Sequence, residues 1–152
     1  MNHDSGEIKK FIGGWLRVVS NAVAQSFARE LKGSGVTPSE FVILRIMHHS
    51  GATLFPSELT RRTGLTRGAV SRLVDRATRK KLIVRTESKQ DRRYQELRLT
   101  KRASQLIPEL EKMGQKTDDL FFSCLTSAER KTLVRLLRKV AHSNDISEMP
   151  TK

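Results

Sequence analysis

The stretch Val70–Thr100, VSRLVDRATRKKLIVRTESKQDRRYQELRLT, changes its period partway along. Val70, Leu73, Val74 and Ala77 fall at i, i+3, i+4 and i+7, which is one face of an α-helix. Arg67, Ser71, Arg72, Arg76 and Arg79 then lie on the opposite side. After Leu82 the segments LIVRTES and YQELRLT read as strands, with Leu97 and Leu99 alternating against Glu96 and Arg98. The polar KQDRRY between them predicts a charged hairpin tip. A helix that feeds a basic hairpin needs a reason, and the neighbouring sequence supplies one.

Immediately upstream, Thr66 is a natural N-cap for this helix, and Gly64 closes a shorter one that opens at Pro56 with Leu59 as its apolar anchor. Two short helices about a glycine-containing turn form a helix-turn-helix, and the hairpin behind it is a wing. HSGATLF reads as a linker. Before it, Thr37, Pro38 and Glu40 make a capping box for a helix running to about His49, with Phe41, Leu44, Ile46 and Met47 inward. An N-terminal helix is predicted from about Glu7 to Leu31, interrupted early by Gly13 and Gly14 and stopped by KGSGV. Downstream, Thr100 caps a long helix whose stripe takes in Leu106, Leu110, Met113, Leu120, Phe121 and Cys124. Pro108 inside it should kink or break it. A last helix follows, capped by Thr126 or Ser127, with Leu133, Leu136, Leu137 and Val140 along one face. The fold class is mainly α with a small β-wing, a winged helix-turn-helix between N- and C-terminal helices.

Charge narrows the partner. The 152-residue chain carries a formal net charge of +13, and Arg61–Arg102 alone, with fifteen Lys and Arg against four acids, holds +11 of it. One third of the chain is a concentrated cationic surface, and the flanks are nearly neutral. Polyanions are the partners this implies, nucleic acid before an anionic membrane surface. Cys124 is the only cysteine, which excludes an intramolecular disulfide. There is no apolar run near the ~18 residues of a membrane span and no signal-peptide pattern, so the chain reads as cytoplasmic. No convergent nucleophile and base, phosphate loop or metal cluster is visible, so neither an enzyme nor a cofactor or metal site is expected. His48 and His49 are adjacent and diverge by about 100° on a helix, a poor metal pair.

DRRYQELRLT, with Asp91-Arg92-Arg93 followed by Leu97, Leu99 and Thr100, resembles the wing signature of the MarR (multiple antibiotic resistance regulator) family. SELTRRTGLTRGAVSRLVDRATRKKLIVR resembles the helix-turn-helix that precedes it there. Thr60, Lys81 and Ala103 depart from the family pattern. Lys81 stands where glycine usually ends the recognition helix, so a non-glycine residue must close that helix. The resemblance implies a homodimer in which residues 1–36 and 101–146 form a helical dimerisation region. Residues 37–100 are then the winged DNA-binding region, and 147–152 a flexible tail. The apolar faces of the terminal helices agree, since they would overfill the core of one small winged domain. Phe11 and Trp15 would be ordinary packing within that region. By resemblance the protein is a repressor of a palindromic operator, released by a small aromatic effector.

The helix from Arg67 should enter the major groove N-terminus first. Its open N–H groups and the hydroxyls of Thr66 and Ser71 suit phosphate. Arg67, Arg72 and Arg76 carry forked donors for guanine O6 and N7, and Gly68 permits close backbone approach. The alternative for Arg76 and Arg79 is a salt bridge with Asp75 or plain exposure. At the wing, Arg92 or Arg93 is the candidate for a minor groove, Asp91 the brace for an arginine, and Lys89 and Gln90 contacts to phosphate or solvent. Two other readings are weighed: a non-specific architectural DNA binder, and a redox-sensing regulator, for which Cys124 on an apolar stripe is a poor sensor.

Overall fold

The computed structural model describes residues 11–51, 53–89, 91 and 93–146. Six helices and two strands follow one another there: α1 Ile12–Glu30, α2 Pro38–Ser50, α3 Pro56–Thr63, α4 Arg67–Arg79, β1 Ile83–Glu87, β2 Gln95–Leu99, α5 Lys101–Phe121 and α6 Ser127–Ser143. The predicted start of the first helix, Glu7–Lys10, lies outside the described residues, as do the tail 147–152 and the wing-tip residues Gln90 and Arg92.

Four of these six helix starts are written in hydroxyls. Thr37 accepts the Glu40 N–H at 3.3 Å while the Glu40 carboxylate accepts the Thr37 N–H at 2.9 Å. Thr66, Thr100 and Thr126 likewise accept from Ala69, Ala103 and Glu129. Each satisfies an N–H that the first helical turn leaves open. The end of α4 is closed by a non-glycine residue, as its sequence requires. Lys81 takes the left-handed conformation, φ 58°, its N–H donating to Thr78 C=O and the Leu82 N–H to Ala77 C=O, both at 2.9 Å. This is the cap a glycine would make, formed on a lysine.

β1 and β2 pair antiparallel with Ile83 opposite Leu99 and Arg85 opposite Leu97. On the other edge of β2, Leu54 exchanges two backbone hydrogen bonds with Leu97, at 3.1 and 2.8 Å. The HSGATLF linker therefore also supplies a one-residue third strand, and buried Leu54 anchors the wing's base to the α2–α3 connection.

The core joins Phe27 and Leu31 of the α1 end, the inner faces of α2 and α4, Leu59, the roots of the wing, and Ala103, Ile107 and Leu110 of α5. Phe27 and Phe41 meet edge to face at 5.1 Å. Arg45 and His49 of α2 both pair with Glu111 of α5, which ties the two helices outside the core. Pro108 does not break α5, which continues through it with the ring on the exposed side.

Cys124 is a correction to the stripe read from sequence. α5 ends at Phe121, and Cys124 sits exposed in the turn that follows. Arg130 of α6 folds back over this end and donates to the carbonyls of Phe122, at 3.1 Å, and Asp119, at 3.0 Å. The Phe122 carbonyl also accepts the Leu125 N–H, at 3.0 Å, within the turn that follows α5. α6 itself has no buried residue, and Leu133, Leu136, Leu137 and Val140 remain open to solvent in the single chain. Phe11, Trp15, Leu16 and Val18 are exposed as well.

Candidate nucleic-acid interface

α4 buries Val70, Leu73, Val74 and Ala77 and turns the rest outward. Arg67, Gly68, Ser71, Arg72, Arg76 and Arg79 are all exposed, and no acid lies in the first turn. Thr66 is exposed too, but its hydroxyl is occupied with the Ala69 N–H at 3.2 Å. A Cβ on Gly68 would meet only the Arg72 guanidinium, at 3.7 Å, so the free protein has room for one.

Among the described residues, Arg67, Arg72 and Arg79 pair with no carboxylate, whereas their neighbours are held. Asp75 takes Arg85 of β1 and neither Arg76 nor Arg79. That pair links α4 to the wing and removes the Asp75 salt bridge that sequence offered for both arginines, while the other half of that alternative, plain exposure, holds for Arg79. The acid beside Arg76 is Glu40 of α2, whose Oε1 lies 3.6 Å from the arginine Nε. Glu40 is wholly buried, and its Oε2 also receives the Lys80 Nζ at 2.7 Å. Burial alone would raise its pKa; the Lys80 ammonium and the Thr37 N–H outweigh that and hold the carboxyl below its usual range. Arg72, Asp75, Arg76, Thr78, Arg79 and Arg85 together line an open groove where α4 meets the wing.

At the wing, Lys89 is exposed and Asp91 grips Arg93. The carboxylate accepts the Arg93 N–H at 3.0 Å, Nε at 3.1 Å and Nη2 at 2.8 Å, so the arginine is fixed from both its backbone and its fork. The Arg93 hydrogen bonds hold the Asp91 pKa below the ordinary value. The guanidinium nonetheless stays outside, the side chain 87% exposed. Sequence reasoning missed two features here. Exposed Tyr94 sets its ring edge-on to Phe55 at 6.3 Å, and Ser88 is buried beneath the tip. A lone aromatic at a charged hairpin tip is the only signal that pointed to the first.

Among the described residues, no group of His, Cys, Asp and Glu is placed to hold a metal ion. None of their helices is long and apolar enough to cross a membrane.

Residues 34–93, the segment from the approach to α2 through the wing tip, match the sequence profile of the MarR family. A relative described as a putative transcriptional regulatory protein for the hcr operon of Thauera aromatica is 30% identical over 146 residues, covering 95% of this chain and 86% of its own. The chain belongs to the MarR family. It is a MarR-type transcriptional regulator with a winged-helix DNA-binding fold, in a family of regulators and not of enzymes. Two solved structures share this MarR fold. A mutant MarR from E. coli complexed with operator DNA superposes with a TM-score of 0.77 at 24% identity, over 85% of this chain and 92% of that one. BpsR of Bordetella bronchiseptica, whose DNA binding 6-hydroxynicotinic acid regulates, gives 0.78 at 24% identity, over 86% and 93%.

Proposed function

We propose that this MarR-type regulator is a cytoplasmic homodimeric repressor that reads a palindromic operator and is released by a small aromatic effector. The observation that carries the DNA reading is the pairing pattern on α4. Asp75 and Glu40 are engaged elsewhere, and Arg67 and Arg72 stand exposed with no carboxylate partner among the described residues. Forked donors in that state are suited to guanine edges in a major groove. Thr66, Gly68 and Ser71 bring the N-terminal turn against the phosphates, and Arg76 adds charge one turn on. Lys89, Arg92 and Arg93 form the second reader at the wing, with Asp91 as brace, and the flanking minor groove as its target.

The dimer draws support from α1 and α6, along which Ile12, Leu16, Val18, Leu136, Leu137 and Val140 are exposed in the single chain. Rows of exposed large apolar side chains on two helices mark an association site. The relatives in the family support operator binding and effector control, one solved on operator DNA and one regulated by an aromatic acid. A two-fold dimer places its recognition helices on successive turns of one DNA face, so half-sites are inverted and about 10 base pairs apart.

Selection of bound sequences from random DNA tests this directly. Recovery of an inverted repeat, with binding weakened by an aromatic acid or phenol, is the expected result. Recovery of no preferred sequence would leave only a non-specific binder.

A further inference from the structure

We propose that buried Glu40 is a positioning residue for DNA reading: it clamps the C-terminal half of the recognition helix α4 onto α2 and restrains Arg76 and Lys80 from indiscriminate contact with phosphate. The proposal rests on the DNA reading given above and adds a residue that faces no DNA.

The geometry is specific. Glu40 has two roles on one carboxylate. Oε2 closes the capping box at the start of α2 through the Thr37 N–H, 2.9 Å, and receives Lys80 Nζ, 2.7 Å, from the end of α4. Oε1 is buried, makes no hydrogen bond of its own, and has the Arg76 Nε 3.6 Å away. An ionised carboxylate with one oxygen left in this state is tolerable only beside positive charge. Lys80 and Arg76 provide that charge, so α4 cannot roll or slide on α2 without stripping a buried anion of its partners. The cations also serve α4, since both stand in its last turns, where the helix dipole favours positive charge. The carboxylate itself benefits from the start of α2. One buried group thus fixes the angle at which Arg67 and Arg72 are presented at the far end of the same helix.

Glu40 also sets a balance. Arg76 and Lys80 remain 48% and 38% exposed, close enough to the surface to reach a phosphate if released. With Glu40 ionised, part of their charge is answered inside the protein. Sequence-independent attraction is lower as a result, and the ratio of operator to random binding is higher.

The test uses the full chain with Glu40→Gln and Lys80→Met, each checked for helicity, mass and melting before DNA is added. Operator and random-duplex affinities are then measured across a salt series, with Arg72→Ala as a separate arm. Glu40→Gln is expected to lower the operator-to-random ratio about tenfold and to steepen the salt dependence of random binding by about one phosphate contact, a slope change near 0.9. Lys80→Met, which removes one clamp contact and leaves both capping-box residues in place, is expected to lower the ratio without steepening the slope. A purely structural Glu40 would lower the melting temperature and leave the ratio of the folded protein intact. A folded Glu40→Gln with an unchanged ratio and slope overturns the proposal. If that variant does not fold, an unchanged ratio in Lys80→Met overturns it alone. Failure of the DNA reading itself shows in the other arm, as an Arg72→Ala protein that keeps its base preference.

Discussion

Lys81→Gly should stabilise the protein. The residue sits at φ 58°, where a Cβ crowds the following carbonyl, and its backbone is locked there by the two capping hydrogen bonds at the end of α4. Its own carbonyl is fixed as well, accepting the Thr100 hydroxyl at 2.9 Å, so the strain cannot be relieved by rotating the peptide. An L-residue in this region costs about 1–2 kcal/mol. Glycine removes that cost but loosens the unfolded chain, which returns about 0.4–1 kcal/mol. The net gain is roughly 0.5–1 kcal/mol, or about 1–4 °C in Tm for a chain of this size. Thermal and urea melts at fixed chain concentration would measure it, with Lys81→Ala as the control that discards the charge and stem but keeps the Cβ. Glycine should melt above alanine, and alanine close to the parent. If the glycine and alanine variants melt together, the left-handed Cβ is not a source of strain and the reasoning fails.

Arg72→Ala should weaken operator binding by roughly 1–3 kcal/mol and relax preference at one or two base positions; an unaltered selection profile would count against α4 as the reader. Arg92→Ala and Arg93→Ala, tested singly, should give one strong loss centred on A·T preference in the flanks, and equal, negligible losses would remove the wing from the interface. Leu137→Glu places a charge within the open apolar face of α6 and should shift the sedimenting species from about twice 17.3 kDa toward 17.3 kDa; a variant that stays dimeric points to another interface. Glu40 and Glu111 both have carboxyls held below the ordinary 4.5, although burial alone would push them up. For groups lowered on folding, the stabilisation is present above that value and is lost as pH falls through the folded value. Stability should therefore drop as pH falls below 4.5, and the Glu40→Gln, Glu111→Gln pair should flatten the fall; an identical acid profile would refute the assignment. Cys124→Ser should cost less than about 0.5 kcal/mol, since its side chain lies in an exposed turn, and a larger loss would place it in packing that the single chain does not show.

What could be read in advance was what local chemistry decides. Thr37 with Glu40, Thr66, Thr100 and Thr126 with Glu129 mark helix starts because a hydroxyl two or three residues from an open N–H needs no distant partner. The inward face of α4 follows from period alone. The strands were legible as far as β1 and β2, but Leu54 was not, because a single residue has no period and its pairing with Leu97 is set by tertiary approach. Long-range charge partners escaped for the same reason. Asp75 is adjacent to Arg76 in sequence, yet Arg85 on the facing strand takes it, and the acid beside Arg76 comes from a residue 36 positions earlier. Cys124 was misplaced because the apolar period continues past Phe121 while the helix does not. The turn there is tied down by Arg130, which belongs to the next element. Glu40 was visible only as half of a capping box, since periodicity cannot show that the same carboxylate reaches across to α4.

The hydrophobic core draws its last residue from Leu110, and α6 begins at Ser127. Chain order therefore becomes an order of manufacture. Every side chain of that core is joined to the chain before the first residue of α6 is added. A chain that stops between those points keeps α1 and lacks the α6 half of the surface proposed to recruit a second copy. Synthesis interrupted between those points would release a folded lobe able to occupy half of an operator and unable to hold the other half. Such a fragment would act against the intact protein, by blocking sites it cannot keep.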